Sequence, residues 1–406
     1  MISIFSSSPF LNFTPGSQNP PKSSIPIVME ASNFKTLMEN FTVRVRRAEN
    51  RELNVSLLSP FTIASSRLDY VGNVAIRVEL SDGCVGWGEA PVLPSVTAED
   101  QTTAMAKARE ACEFLGNSPP AKLGNVLREI GRVLPVHQFA SVRAGMEMAL
   151  IDAAAKSIGQ PLWSLFGGAS DMIVTDITIP IVSPAEAMEL ASKYRRQGFQ
   201  TLKLKVGKNL DADIEVLRAI RSVHPTSSFI LDANEGYSPE EAIEVLERLH
   251  EMKVIPILFE QPVRRDDWEG LGHVTSMARD RFGISVAADE SCRDLKDLEK
   301  IIEGNLANVV NIKPAKSGIL MALEIIELAR ASGMELMIGG MVETRLAMGF
   351  SGHLAAGLGC FRYIDLDTPL LLAEDPVQGG YEVSGAVYKF MNTSGHGGSL
   401  QWHEIS

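Results

Sequence analysis

The chain has 406 residues, with 38 Lys and Arg against 50 Asp and Glu, which gives a formal net charge of −12 at pH 7. This acidic balance argues against nucleic acid or an anionic membrane as the main partner, because both bind clustered basic side chains. No run of about 18 uncharged apolar residues occurs, so we expect no membrane-spanning helix. The four cysteines lie far apart without a C-x-x-C pair, which argues against a zinc site or a disulfide scaffold and fits a reducing compartment.

Residues 1–40 are rich in Ser and Pro and contain no acidic residue before Glu30. Such a composition buries too little apolar surface to offset the entropy of ordering. Two interpretations remain open: a removable organellar transit peptide, and a disordered tail with Met29 as a second start. We therefore expect an intracellular protein, located in the plastid or another organelle if the segment is a transit peptide and in the cytoplasm otherwise.

Two different patterns follow along the chain. Alternating strand-like segments and then helical periodicity between about 42 and 165 predict a separate α+β domain. From about 173, eight short apolar runs alternate with amphipathic helical stretches, which predicts consecutive βα units around a closed parallel barrel. No G-x-G-x-x-G or P-loop follows any of these runs, so the common nucleotide-binding motifs are excluded.

Nearly every predicted barrel strand ends in an ionisable residue, although a charge within a buried strand is costly unless it is paired. The residues are Lys203, Lys205, Asp232, Glu260, Asp289, Lys313, Asp365 and Asp367. From Lys205 to Lys313 the successive intervals are 27, 28, 29 and 24 residues, about one βα unit each. Because the C-terminal ends of barrel strands form the active-site face, these groups should converge on one mouth.

Asp232, Glu260 and Asp289 predict a metal site on three adjacent strands. A single acid at a strand end is usually a helix cap or an ion-pair partner, but three in the same register are not explained in this way. Three carboxylates form a hard oxygen site that suits Mg²⁺. Zinc is less suitable because no His or Cys joins them.

Lys205 and Lys313 lie on the second and sixth predicted strands, on opposite sides of an eight-stranded barrel. This arrangement suits removal of a proton from one face of a carbon and its return to the other. The metal would stabilise the enediolate formed from a carboxylate substrate, and Lys203 would add positive charge to the same oxygens. The alternative is that the lysines only pair with the metal-binding carboxylates.

Five motifs resemble those of the enolase superfamily, and within it the muconate-lactonizing subgroup: Lys203-Leu-Lys205, Asp232-Ala-Asn, Glu260-Gln-Pro, Asp289-Glu-Ser and Asn311-Ile-Lys313. The resemblance implies an α/β fold, a modified TIM barrel (β/α)₇β with an N-terminal α+β capping domain. The expected boundaries are 1–40 for the disordered or transit segment, 41–168 for the capping domain, 169–367 for the barrel and 368–406 for a C-terminal segment that returns to the cap. His353 falls in a helical stretch, so we expect a packed or surface histidine rather than a catalytic one.

Asp365-Leu-Asp367 resembles the D-x-D of dipeptide epimerases, in which two carboxylates hold the substrate's α-ammonium. A cation in a dry pocket needs such an anionic partner, although a structural turn is the alternative interpretation. The resemblance implies Mg²⁺-dependent epimerisation of L-Ala-D/L-Xaa dipeptides, with L-Ala-D/L-Glu as the first expectation. It also implies that Arg67, on a capping-domain loop, meets the distal carboxylate of such a substrate.

Two other functions remain open from the sequence. One is a cycloisomerase or dehydratase (succinylbenzoate-synthase-like) of the same subgroup, and the other is a non-catalytic protein that binds dipeptides or metabolites. The expected partner is a small dipeptide, with no nucleic acid and no membrane, and family barrels also suggest a homo-oligomer. The sequence assigns no role to Glu343.

Overall fold

The computed structural model describes residues 33–64, 66–97, 99–135 and 137–403. Residues 1–32 of the segment interpreted as a transit peptide or tail lie outside the described residues, whereas its last eight residues, Asn33–Asn40, form a helix with Phe34 and Leu37 buried. Within the described part of the chain, no helix combines the length and the apolar character needed to cross a bilayer.

The N-terminal part forms a three-stranded antiparallel sheet covered by helices. Its elements are α1 (Asn33–Asn40), β1 (Thr42–Val43), β2 (Val45–Thr62), β3 (Arg67–Leu80), β4 (Val85–Ala90), α2 (Pro94–Thr97), α3 (Gln101–Asn117), β5 (Ala121–Lys122), α4 (Leu123–Val133), α5 (Ala140–Ser157) and α6 (Leu162–Leu165). The sheet order is β2-β3-β4. Helix α5 lies directly on β4, where a Cβ on Gly88 would collide with the carbonyl group of Gly145.

The barrel follows in the predicted order of strands and helices. After β6 (Met172–Val174) come β7 (Ile177–Ile179), α7 (Pro184–Arg196), β8 (Thr201–Lys205), α8 (Leu210–Val223), β9 (Ser228–Asp232), α9 (Pro239–Glu251), β10 (Leu258–Glu260), α10 (Trp268–Met277), β11 (Ser285–Ala288), α11 (Leu295–Gly304), β12 (Val309–Ile312), α12 (Pro314–Ser317), α13 (Ile319–Ala331), β13 (Glu335–Gly339), α14 (Arg345–Leu358) and β14 (Tyr363–Asp365). Strands β7 to β14 are neighbours in sequence order in one parallel sheet. A 3₁₀ turn, Thr368–Leu371, follows β14 in place of an eighth helix, so the predicted (β/α)₇β barrel is confirmed.

Apolar side chains from six strands fill the barrel below the charged strand ends. One residue comes from each of β9 to β14: Ile230, Leu258, Ala287, Val309, Met337 and Tyr363. Helix caps help to fix the surrounding helices, as in the reciprocal capping box of Ser183 and Glu186 at the start of α7. The charged groups therefore stand on a packed apolar floor.

The chain after the barrel returns to the N-terminal sheet. It forms β15 (Val377–Gly379), β16 (Tyr381–Ser384), β17 (Val387–Phe390) and β18 (Gly398–Leu400). Strand β17 pairs with β6, the short strand that precedes the first barrel strand in the sequence. The Trp402 ring lies 5.6 Å from that of Trp87 on β4, and His396 Nε2 is 3.0 Å from the Trp87 carbonyl oxygen.

Candidate active site

Lys203 occupies the centre of the barrel mouth. It lies on β8 and is only 1% exposed. Its Nζ is 3.1 Å from Asp232 Oδ2, 2.8 Å from Glu260 Oε2 and 2.6 Å from Asp365 Oδ2. Burial opposes the charge of Lys203, but these carboxylates outweigh that effect and raise its pKa well above the ordinary range. Lys203 therefore remains an ammonium group that holds several acids together.

The two candidate bases lie on opposite sides of this centre. Lys205 ends β8, and its Nζ is 2.6 Å from Asp232 Oδ2. Lys313 directly follows β12, and its Nζ is 2.6 Å from Asp289 Oδ2. Because β8 and β12 are four strands apart in an eight-stranded barrel, the two ammonium groups face each other across the mouth, as the sequence predicted.

Burial and the neighbouring charges shift the pKa values of the three strand-end acids in different directions. Burial opposes ionisation of Asp232, but the ammonium groups of Lys203 and Lys205 outweigh it and lower the pKa of Asp232 to about 2. In the same way, Lys313 outweighs burial and holds the pKa of Asp289 well below its usual range. Burial and the nearby Asp232 charge raise the pKa of Glu260 to about 7. Of the three acids, Glu260 is therefore the one whose ionised form the site stabilises least.

The structure places Asp232, Glu260 and Asp289 at the ends of adjacent strands, each fully buried. Lysine ammonium groups lie against these carboxylates in place of a compact triad of oxygens. Within the described residues, a different group brings three carboxylate oxygens within 4.8 Å of one another, namely Asp176, Asp365 and Asp367. Asp365 and Asp367 were predicted at the site, but Asp176 was not.

Sequence reasoning also missed Lys316 and gave Asn311 no role of its own, although Asn311 stands in one of the five motifs. Lys316 Nζ donates to Asp289 Oδ1 and to the Asp289 carbonyl oxygen, each at 2.6 Å. Asn311 Nδ2 donates to Glu260 Oε1 at 2.7 Å. The spacing in the sequence could have indicated Lys316. It stands three residues after Lys313, and side chains three residues apart in a helix lie on the same side of it.

A chamber lies between the barrel mouth and the capping part, and both Lys205 and Lys313 line it. Most of its other lining is apolar: Phe61, Ile63 and Leu68 from the β2–β3 hairpin, Leu93 after β4, and Met341 and Val342 after β13. Its other polar lining residues are Ser66, Asn234 and Glu290. A carbon placed between the two lysines would therefore extend its substituent among apolar side chains.

The structure does not bring Arg67 to this chamber. Arg67 begins β3 with its side chain 61% exposed, and its Nε is 3.1 Å from Asp69 Oδ1. Glu343 is buried and accepts a hydrogen bond from Met341 N at 2.7 Å, which fixes the loop after β13. His353 is buried against the Phe390 ring, with a centroid distance of 4.4 Å. His353 is therefore a packed histidine.

A parallel barrel with acids and lysines at its strand ends, under an N-terminal cap, defines an enolase-type enzyme. The chain matches the family model of the mandelate racemase / muconate lactonizing enzyme N-terminal domain over residues 46–167. It matches the enolase C-terminal domain-like model over residues 186–404. The chain therefore belongs to the mandelate racemase and muconate lactonizing enzyme family of the enolase superfamily, as its motifs indicated.

Three relatives narrow the position of the chain within this family. An L-Ala-D/L-amino acid epimerase of Populus trichocarpa is 69% identical, with 100% of both chains covered. The substrate-liganded L-Ala-D/L-Glu epimerase of Bacillus subtilis is 33% identical with a TM-score of 0.83, and the match covers 88% of this chain and 100% of that chain. A dipeptide epimerase of Enterococcus faecalis, solved with Mg and L-Leu-L-Tyr, is 29% identical with a TM-score of 0.81 and covers 88% and 99%. The predicted enzyme class, an isomerase, is confirmed.

Proposed function

We propose that the protein epimerises dipeptides by a two-base 1,1-proton transfer at the α-carbon of the C-terminal residue, with Mg²⁺ as cofactor. The observation that carries this proposal is the position of Lys205 and Lys313 on opposite sides of one chamber. One lysine would take the α-proton from one face, and the other would supply a proton to the opposite face. The enediolate formed in between would be stabilised by the buried ammonium group of Lys203.

The residues present fit a divalent cation. Asp232, Glu260 and Asp289 offer only oxygen ligands, as Mg²⁺ prefers, and among the described residues Glu260 Oε2 is held by its ion pair with Lys203 Nζ and by no further hydrogen bond. When bound, the cation would supply Lewis-acid stabilisation of the substrate carboxylate. A lysine paired with a carboxylate is a proton donor. Cation binding by the same carboxylates would compete with Lys205 and Lys313 for these ion pairs and release both side chains toward the substrate.

Asp365 and Asp367 would bind the α-ammonium of the dipeptide. Asp367 Oδ1 is buried and has no hydrogen-bond partner in the part of the chain that the structure describes, so a donor from the substrate would satisfy it. Burial and the neighbouring Asp365 charge raise the pKa of Asp367 to about 7. An incoming cation would favour the ionised form of Asp367.

The apolar lining of the chamber favours a dipeptide whose second residue is apolar over L-Ala-Glu. The cations among the described lining residues are Lys205 and Lys313, which the chemistry itself requires, and Arg67 pairs with Asp69 instead. The Enterococcus relative, solved with L-Leu-L-Tyr, supports the same preference. We therefore propose L-Ala-Xaa dipeptides with an aliphatic or aromatic Xaa as substrates.

Proton exchange in D₂O tests the proposal. With Mg²⁺ present, L-Ala-L-Phe should take up one α-deuteron and convert to L-Ala-D-Phe. Mass spectrometry measures the deuterium uptake, and chiral chromatography measures the inversion. Uptake should stop when the metal is chelated and return with added Mg²⁺. If no member of an L-Ala-L-Xaa panel took up deuterium, the proposed function would be abandoned. A product of different mass would instead indicate a dehydratase. A product of equal mass that contains a new ring would indicate a cycloisomerase.

Lysine variants test the two-base mechanism separately. Lys205→Met and Lys313→Met should each abolish inversion, because each removes the proton carrier on one face. Each variant should still exchange the α-proton of one stereoisomer, and the two variants should act on opposite isomers. Lys296→Met, in an exposed position on α11, serves as the matched control with full activity. Normal inversion by either mouth variant would exclude the two-base assignment.

A further inference from the structure

Asp176 is a buried acid that the proposed mechanism does not use. It directly precedes β7, and its backbone N donates to the Ile364 carbonyl oxygen at 3.0 Å. This bond helps to join the first and last barrel strands. The Asp176 side chain is 3% exposed, and one of its oxygens lies within 4.8 Å of carboxylate oxygens of both Asp365 and Asp367.

The neighbours of Asp176 leave it without a charge partner of its own. Asp365 Oδ2 contacts Lys203 Nζ at 2.6 Å, and Asp367 Oδ2 accepts from Thr178 N at 2.6 Å. Among the described residues, neither oxygen of Asp176 has a hydrogen-bond donor. Lys203 is already shared with other carboxylates. A third ionised carboxylate would therefore be buried next to two others without compensation, which is strongly unfavourable.

A proton on Asp176 removes this conflict. Burial raises the pKa of Asp176 well above its ordinary range, and the charges of Asp365 and Asp367 raise it further. Lys203 acts in the opposite direction but less strongly. The protonated acid gains a donor, and a side-chain hydrogen bond between Asp176 and Asp365 is among the interactions that favour its neutral form.

We propose that Asp176 is a neutral carboxylic acid that donates a hydrogen bond to the Asp365 carboxylate and so positions it for the substrate's α-ammonium. This inference rests on the proposed function for its ligand, although the hydrogen bond itself does not. Asp365 is then held between two donors, Lys203 and Asp176. Asp176 acts through Asp365 and is a positioning residue.

Infrared difference spectroscopy tests the protonation state without any substrate. At pH 8 the spectrum of the wild-type protein minus that of Asp176→Asn should contain the carbonyl band of one protonated carboxylic acid. Asp211→Asn, at a side chain that is 82% exposed, should give no such band at this pH. If Asp176→Asn gave no protonated-acid band either, the inference would be overturned, whatever the substrate of the enzyme.

Kinetics test the positioning role. The Asn amide can still donate to Asp365, so Asp176→Asn should keep KM for L-Ala-L-Phe within about threefold of the wild-type value. Asp176→Leu has no donor and should raise KM about tenfold or more at nearly constant kcat, as expected for a lost hydrogen bond to a charged group. With N-acetyl-L-Ala-L-Phe, which lacks the ammonium, KM should be the same for both variants and the wild type.

Each other outcome has a distinct meaning. An Asn variant as impaired as the Leu variant would show that Asp176 acts as an anion, and would overturn the inference. A rise in KM for the acetylated substrate as well would show a general structural defect and would also overturn it. Failure of the wild-type protein with every dipeptide would refute the proposed function, and the infrared result would still decide the state of Asp176.

Discussion

Exchanging the second residue of the substrate from Phe to Glu should reduce kcat/KM by roughly three orders of magnitude. Burying an aromatic side chain among apolar residues such as Phe61, Leu68 and Met341 contributes about 2 kcal/mol. Moving a carboxylate into the same place without a free cation costs at least about 2 to 3 kcal/mol. The sum of about 4 to 5 kcal/mol corresponds to roughly 10³-fold in kcat/KM.

Competition in D₂O between L-Ala-L-Phe and L-Ala-L-Glu measures this ratio directly from the two rates of deuterium uptake. Leu68→Arg should reduce the preference for L-Ala-L-Phe over L-Ala-L-Glu by about tenfold or more, because it places a cation in the chamber lining. Leu58→Arg is the matched control, since Leu58 is 62% exposed on the same hairpin, and it should leave the ratio unchanged. Equal or faster turnover of L-Ala-L-Glu by the wild-type enzyme would refute the argument from the chamber.

Three predictions concern the residues that hold the fold and the site. Lys316→Met should lower the free energy of unfolding by about 3 kcal/mol in urea denaturation, because it leaves buried Asp289 with one ammonium partner fewer; an unchanged midpoint would contradict this. Burial raises the pKa of Glu99 from 4.5 to about 7, so the neutral form stabilises the fold at low pH and this contribution is lost as the pH rises from 4.5 through 7. Glu99→Gln should therefore remove about 3 kcal/mol of that pH dependence, and parallel stability curves for the two proteins would disprove it. Gly88→Ala should lower the melting temperature by several degrees, because its Cβ would collide with the Gly145 carbonyl group. An unchanged melting temperature would contradict this, since it would show that β4 and α5 move apart without a loss of stability.

The strand-end residues were predictable because the barrel repeats one unit. A βα unit has nearly constant length, so the spacing from Lys205 to Asp232 and onward to Lys313 reports the same position on successive strands. The same periodicity indicated the closed barrel before any contact was known. Local sequence therefore contained most of the information on the centre of the site.

Other parts of the site depend on tertiary contacts that spacing does not report. Asp176 stands before its strand rather than at its end, and only closure of the barrel brings β7 beside β14 and Asp365. Arg67 was expected at the mouth because of its loop, but the direction of the hairpin places Leu68 in the chamber and leaves Arg67 beside Asp69. Adjacent residues on a strand point to opposite faces, so a shift of one residue decides which side chain meets a substrate.

Lys203 links the two ends of the site, which bears on the kind of ligand that fits. Its ammonium contacts Asp232 and Glu260 at one end and Asp365 at the other. A cation bound by the first two carboxylates would weaken their hold on Lys203, and a substrate ammonium at Asp365 would weaken the third contact. Under the proposed function, each binding event would free Lys203 toward the substrate carboxylate, and by linkage each would favour the other. A simple carboxylate would engage only one end, whereas a zwitterionic dipeptide would engage both.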